Sequence, residues 1–312
     1  MLNRTSVANR YAILAASLEG DLFSLAPGEE ETLDDVRLRM EMGRLYLLVD
    51  RYEKAADCFA RSLSMLENPE LHGLGPGAKR ALNASTYIMA GNCYLLMKRT
   101  KEAIEVFDKA YALDHDQGGH GYNIARAYVQ QGRFNDALPS LEAYFKQNLA
   151  EEGYAPYRLL AEILKGLGKS EELPLRLEKL RLADSKNVPL GYFLADQYRE
   201  KEQFSQAEAL YKAMLSQKAS VTGYAGLAAI YRKTKRAEPL LSALGQSLRD
   251  LPALDALGEE LPVLAGDKAM VSSLAELARQ RAKSNPTQLD EHGRQAIAEL
   301  AEIGRASCRE RV

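Results

Sequence analysis

At 312 residues, 46% hydrophobic and 27% charged, the chain is long and apolar enough to bury a core, which excludes a disordered class. A formal net charge of -2 excludes the broad positive field that nucleic-acid binding draws on. No apolar run approaches the ~20 residues of a membrane span, and no small-residue cleavage site follows the short apolar stretch Tyr11 to Leu18. Neither membrane insertion nor a secretory signal is expected, and a cytoplasmic location is the default.

Residues 1–35 read as an N-terminal helical flank, in which Glu29-Glu-Glu-Thr-Leu-Asp-Asp35 is an acid-rich helix start that suits the helix dipole. From residue 36 a pattern repeats. Its first copy is Met42-Gly43-x-x-Tyr46 with Ala55, Phe59 and Ser62. An insert near 67–80 follows, around Asn68-Pro-Glu-Leu-His-Gly-Leu-Gly-Pro-Gly77, and its Pro and Gly content predicts a loop. The next copies are Tyr87-Ile-Met-Ala-Gly91-Asn-Cys-Tyr94 with Ala103 and Phe107, then Tyr122-Asn-Ile-Ala125-Arg-Ala-Tyr128 with Phe134, Ala137 and Leu141. The series continues with Leu160-Ala161 and Leu164, Leu194-Ala195 and Tyr198, and Leu227-Ala228 and Tyr231, of which the fourth and sixth copies, at 160 and 227, are degenerate. The small residue heading each copy falls at positions 43, 91, 125, 161, 195 and 228, and 34 residues separate the second and third. Gly or Ala there lets two helices approach, and Tyr and Phe at helical spacing fill the gaps between units. Turns are expected near residues 50, 99, 132, 168, 202 and 235. No unit buries its apolar face alone, so the copies must stack.

Residues 255–302 keep a helical apolar rhythm and read as C-terminal helices, either worn repeats or a capping element. The last ten residues, 303–312, break that rhythm and resemble the translation of a short-read sequencing adapter. They are expected to be a non-native tail without specific contacts, with native sequence continuing past Glu302.

Each copy resembles the tetratricopeptide repeat, a 34-residue helix–turn–helix with a small residue at its eighth position, an aromatic at its eleventh and Ala at its twentieth. The resemblance covers 36–254. It implies an all-α fold, a right-handed solenoid of about six repeats with helical flanks. It also implies that positions two, five, six, nine, twelve and thirteen of each unit face a concave groove. Those positions include Ile88, Asn92, Tyr122, Asn123, Arg126, Val129, Arg158, Tyr192, Asp196 and Arg199. The partner-binding candidates among them are Asn92, Tyr122, Asn123, Arg126, Arg158 and Tyr192. Some members of the family bind acidic chaperone C-termini through two asparagines and three cations. Asn92 and Asn123 match the asparagines, but Ile88, Ala155 and Leu159 stand where the cations belong, so that partner class is not expected.

Catalytic and metal chemistry finds little support. Cys58, Cys93 and Cys308 form no Cys-x-x-Cys pair, and Cys58 and Cys93 read as small buried hydrophobes. Gly73-Leu-Gly-Pro-Gly77-Ala-Lys79 lacks the Gly-Lys-Ser/Thr ending of a phosphate loop. Asp114-His115-Asp116 with His120 falls at a helix end, where such residues are natural, and too few further ligands surround it. His72 and His292 stand alone. The expected function is a non-catalytic scaffold that holds a segment of another protein in the groove, without cofactor or metal. The alternative is a regulatory or targeting region of a longer enzyme or membrane protein, cut after Glu302.

Overall fold

The computed structural model describes residues 32–68, 71, 73–114, 119–147, 153–251 and 257–284, with 13, 14, 17 and 298 besides. The 303–312 tail, His72, His115, Asp116, His292, Cys308 and nearly all of the N-terminal flank lie outside the described residues. The described residues form fourteen α-helices and no strand. In chain order they are α1 Leu33–Leu48, α2 Tyr52–Glu67, α3 Pro76–Leu96, α4 Thr100–Leu113, α5 His120–Gln130, α6 Phe134–Phe145 and α7 Ala155–Gly166. The rest are α8 Leu173–Ala183, preceded by a single 3-10 turn, α9 Val188–Glu200, α10 Phe204–Leu215, α11 Val221–Lys233, α12 Ala237–Asp250, α13 Glu260–Gly266 and α14 Lys268–Ser284.

Six first helices end in one kind of turn. The turn residue is left-handed in every case: Asp50, Lys98, Gly132, Gly168, Glu202 and Lys235, with φ from 54° to 71°. The following N–H then donates to the carbonyl five residues back. The bonds are Arg51 to Tyr46 at 2.9 Å, Arg99 to Tyr94 at 2.8 Å, Arg133 to Tyr128 at 2.9 Å, Lys169 to Leu164 at 2.7 Å, Gln203 to Tyr198 at 2.9 Å and Arg236 to Tyr231 at 2.8 Å. This Schellman closure satisfies carbonyls that a helix end otherwise leaves without partners. Four of the six sites use a residue with a side chain, at a steric cost of about 1–2 kcal/mol each. At Lys98 and Lys235 the arginine after the turn partly offsets it, and Arg133 after Gly132 takes the same position. Arg99, Arg133 and Arg236 fold back over Tyr94, Tyr128 and Tyr231, with 4.9, 4.4 and 5.0 Å from guanidinium carbon to ring centroid. The turns therefore stand where the repeat spacing puts them, within one residue.

Helix starts are fixed by other means. Thr32 caps α1 in a capping box: its hydroxyl accepts from the Asp35 N–H at 3.3 Å while the Asp35 carboxylate accepts from the Thr32 N–H at 2.7 Å. Asn187 caps α9 by accepting from the Leu190 N–H at 2.9 Å. The insert is where the structure departs from expectation. Its loop ends at Gly75, and Pro76 and Gly77 open the 21-residue α3. Proline at a first helical turn lacks only an N–H that has no intrahelical partner anyway, so a residue that reads as a breaker here starts a helix. Pro139 sits inside α6, a position that the repeat pattern does not mark.

The chain divides into two compact units. Unit 1 is residues 1–149 with 158–170, and unit 2 is residues 150–157 with 171–312. In unit 1 the small residue at the head of a copy meets the aromatic of the second helix. A Cβ on Gly43 would lie 2.7 Å from the Phe59 ring, and one on Gly91 would lie 2.4 Å from Phe107. Both rings are buried, at 0% and 1% exposed. Ala55, Ala103 and Ala137 make the same close approach from the second helices, each 0% exposed. In unit 2 an ideal Cβ on Gly226 of α11 would lie 2.3 Å from the ring of Tyr211 on α10, so this first helix also packs against the preceding second helix. The repeating contact is thus small residue on large ring, which sets a short distance between helix axes.

Candidate functional site

In unit 1, α3 and α5 bring four of the sequence-predicted residues together. Asn92 and Arg126 are both ninth residues of their copies, 34 positions apart, and the Arg126 guanidinium donates to the Asn92 side-chain oxygen at 2.9 Å. It also reaches the Asn123 side-chain oxygen at 3.5 Å, one helical turn back. Its guanidinium carbon lies 5.7 Å from the Tyr122 ring centroid, and Tyr122 in turn packs on Tyr144 with ring centroids 5.6 Å apart. Asn123 is 8% exposed, whereas Tyr122, Asn92 and Arg126 are half-buried. Below this cluster the Gln130 amide donates to the Leu95 carbonyl at 2.7 Å, and the Thr100 hydroxyl donates to the Gln130 oxygen at 3.2 Å. Those two bonds tie α5 to the preceding helix pair.

The electrostatics of the cluster are unusual. Among the described residues no carboxylate pairs with Arg126; two neutral amides and an aromatic face hold it. First-helix arginines of unit 2 are neutralised instead. Arg199 meets Asp196 at 3.2 Å, and Arg232 meets Glu260 at 2.6 Å. Asp196 also accepts from the Tyr211 hydroxyl at 2.6 Å, so it is committed to the fold.

The other predicted residues fare differently. Arg158 is exposed on α7. Tyr192 is 2% exposed, its hydroxyl donates to the Lys218 carbonyl at 3.3 Å, and burial pushes its phenol up to about 12. It is a packing residue of unit 2, because the fifth position of that copy turns into the interface with α10, where Tyr192 meets Tyr211 at 6.3 Å. Ile88 is half-buried, Ala155 exposed and Leu159 7% exposed, so none of the three supplies a cation.

Chemistry-bearing residues elsewhere are structural. Cys93 is buried, and burial pushes its thiol up to about 12, which keeps it protonated and inert. His120 stacks on Tyr111 with centroids 4.3 Å apart and lies 3.6 Å from Asp108; burial holds its imidazole below the usual range. No group of three metal-ligating side chains occurs among the described residues. Lys79 donates to the Asn68 carbonyl at 3.1 Å and so closes the insert loop. In unit 2, Glu208 accepts from Lys212 at 2.7 Å, Arg236 at 2.6 Å and Tyr231 at 2.9 Å. Burial alone would raise the Glu208 carboxyl, but these three donors outweigh it and hold it down at about 2. Sequence reasoning missed this cluster, whose members come from two helices and the turn after the second, and share no motif.

Helix pairs closed by one recurrent turn and packed small residue on ring define a helix–turn–helix repeat protein. Residues 84–117 match the family model described as the tetratricopeptide repeat, and the helix pairs of this chain are of the tetratricopeptide type. Solved structures similar in fold include a fragment of MamA from Desulfovibrio magneticus RS-1, 17% identical over 59% of this chain and 94% of that one, with a TM-score of 0.38. A tetratricopeptide repeat protein from Parabacteroides merdae is 13% identical over 81% and 91%, with a TM-score of 0.44. Pseudomonas aeruginosa pilF is 16% identical over 72% and 95%, with a TM-score of 0.43. Comparison with curated proteins gives no match. No helix among the described residues is long and apolar enough to cross a membrane.

Proposed function

We propose that this chain is a non-catalytic scaffold whose first-helix face around Arg126 holds a segment of another protein, within a repeat region covering 36–254. Tetratricopeptide folds are interaction scaffolds in general, and the step from fold to this face rests on the site. The observation that carries it is a guanidinium fixed by Asn92, Asn123 and Tyr122 with no carboxylate partner among the described residues. A positioned, uncompensated cation beside an aromatic ring recognises carbonyl or carboxylate groups at small ordering cost. Arg and Tyr are also the side chains most often found as energetic anchors. Arg158, exposed in the same unit, adds a second cation. Tyr192 is left out of the surface because it is buried.

The test is capture of the partner from source lysate, followed by binding measurements on Tyr122→Ala, Arg126→Ala and Arg158→Ala. Loss of Arg126 or Tyr122 should cost about 1–2 kcal/mol in binding with little change in melting temperature. Full affinity in all three variants would sink the assignment, most clearly if deletion of residues 68–75 abolished binding. An acidic chaperone C-terminus is not the proposed partner. One guanidinium does not replace three cations facing an acidic peptide terminus. A titration with such a peptide should show no micromolar binding.

A further inference from the structure

We infer that the segment held at Arg126 is extended, with a side-chain carboxylate on the guanidinium and a leucine-sized side chain two residues away on Leu96. This rests on the Arg126 reading above and names the chemistry of its partner. The first observation is how charge is sorted in unit 1. Helices α3 and α5, which carry Asn92 and Arg126, contain no Asp or Glu along their whole lengths. The carboxylates stand on the second helices instead, Glu102, Glu105 and Asp108 on α4 and Asp136 and Glu142 on α6. On α7, Arg158 and Lys165 are exposed against Glu162 alone. The charge on these three first helices is therefore net positive, and a field of one sign selects a charged ligand over a neutral carbonyl. The guanidinium is also within reach. Asn92 and Asn123 hold Nη1, which among the described residues leaves Nε and Nη2 to solvent.

The second observation is at the end of the same face. Leu96, the last residue of α3, is 48% exposed, and Leu48, the last residue of α1, is 63% exposed. Their neighbours Leu47, Val49 and Met97 pack on one cluster, which brings the two helix ends together. Leu96 follows Asn92 by four residues and so lies one turn along the face that Arg126 joins. Gln130, four residues after Arg126, fixes that turn by donating to the Leu95 carbonyl at 2.7 Å. One helical turn advances about 5.4 Å. Two residues of an extended chain advance about 6.6 Å and put both side chains on one side. A carboxylate on Arg126 thus sets the side chain two positions away over Leu96, and Leu48 continues the apolar surface. Such a segment differs from an acidic chain terminus, because it needs one cation and draws the rest of its contact from apolar side chains.

The test is selection of random linear peptides from a displayed library against the full chain, followed by fluorescence-anisotropy titration of the enriched ones. The expected consensus is Asp or Glu with Leu, Ile or Phe two positions away. Arg126→Gln should weaken binding about tenfold and Leu96→Ser several-fold, with the melting temperature little changed. Affinity should also fall as sodium chloride is raised. Leu182→Ser, on the uncovered face of α8 where Leu182 is 84% exposed, should bind as wild type does. Enriched peptides that carry no acidic residue but lose affinity in Arg126→Gln would leave the Arg126 site standing and overturn this inference alone. Acidic peptides that Leu96→Ser binds as tightly as wild type would overturn it as well. Peptides bound equally by wild type and Arg126→Gln would overturn both readings. A dimer of the chain that Leu96→Asp separates would put a second copy on this face, against the inference.

Discussion

Gly91→Leu lowers the stability of unit 1 by about 1–3 kcal/mol, the usual cost of forcing extra carbon into a packed core. Even a Cβ at this position would lie 2.4 Å from Phe107 Cε1 and 2.7 Å from its Cζ. The ring has little room to retreat, since Phe107 is 1% exposed and packed in a cluster with Leu95, Ala103, Ile124 and Ala127. Relief must come from parting α3 from α4, and the same helix pair carries Asn92. Gly77→Leu, about four turns earlier on α3, is the control, because nothing lies within 4 Å of its added Cβ. Thermal unfolding followed by circular dichroism checks both. The Gly91 variant should melt several degrees lower and the Gly77 variant close to wild type. An unchanged melting temperature in Gly91→Leu would show that the small head residue does not set the helix spacing.

The second large effect is the acid sensitivity of unit 2. Glu208 is held at about 2, against an ordinary value of 4.5. The folded value lies below the unfolded one, so the folded state is favoured while the carboxylate is charged. That stabilisation is fully present above about pH 4.5 and is lost as pH falls toward 2. At ~1.36 kcal/mol per pH unit the gap amounts to about 3 kcal/mol as an upper figure, and to about 2 kcal/mol once the half-exposed Lys212 and Arg236 are allowed for. Denaturant unfolding of wild type and Glu208→Gln at a series of pH values reads it directly. The wild-type curve should fall more steeply between pH 4.5 and 2, and the variant should already be less stable at neutral pH. Parallel curves would mean that the three donors do not act through the Glu208 charge.

Legibility in the sequence followed the repeat. The small residues at 43 and 91, the rings at 59 and 107 and the left-handed turns at 50, 132 and 168 follow from a spacing that can be counted, because each copy must solve the same packing problem. The Asn92–Arg126 bond was legible in principle too. It joins equal positions of consecutive copies, and equivalent positions of stacked units face each other. Local exceptions to the pattern were not legible. Pro76 reads as a loop residue until its place at a first helical turn is known. Tyr192 has the register of an exposed position, yet that copy rotates it into the contact with Tyr211. The Glu208 cluster depends on side chains from two helices and the turn residue Arg236, which no linear spacing encodes. The two apolar faces of α8 are visible in its alternate leucines, but sequence does not say which face the fold covers.

The most direct test of the account is hydrogen–deuterium exchange of the full chain with and without its captured partner. The account predicts slowed exchange in residues 88–96 and 119–130, the segments of α3 and α5 that carry Asn92, Tyr122, Asn123 and Arg126, with the loop 68–75 unchanged. Slowed exchange confined to that loop, with both helical segments unaffected, would contradict it.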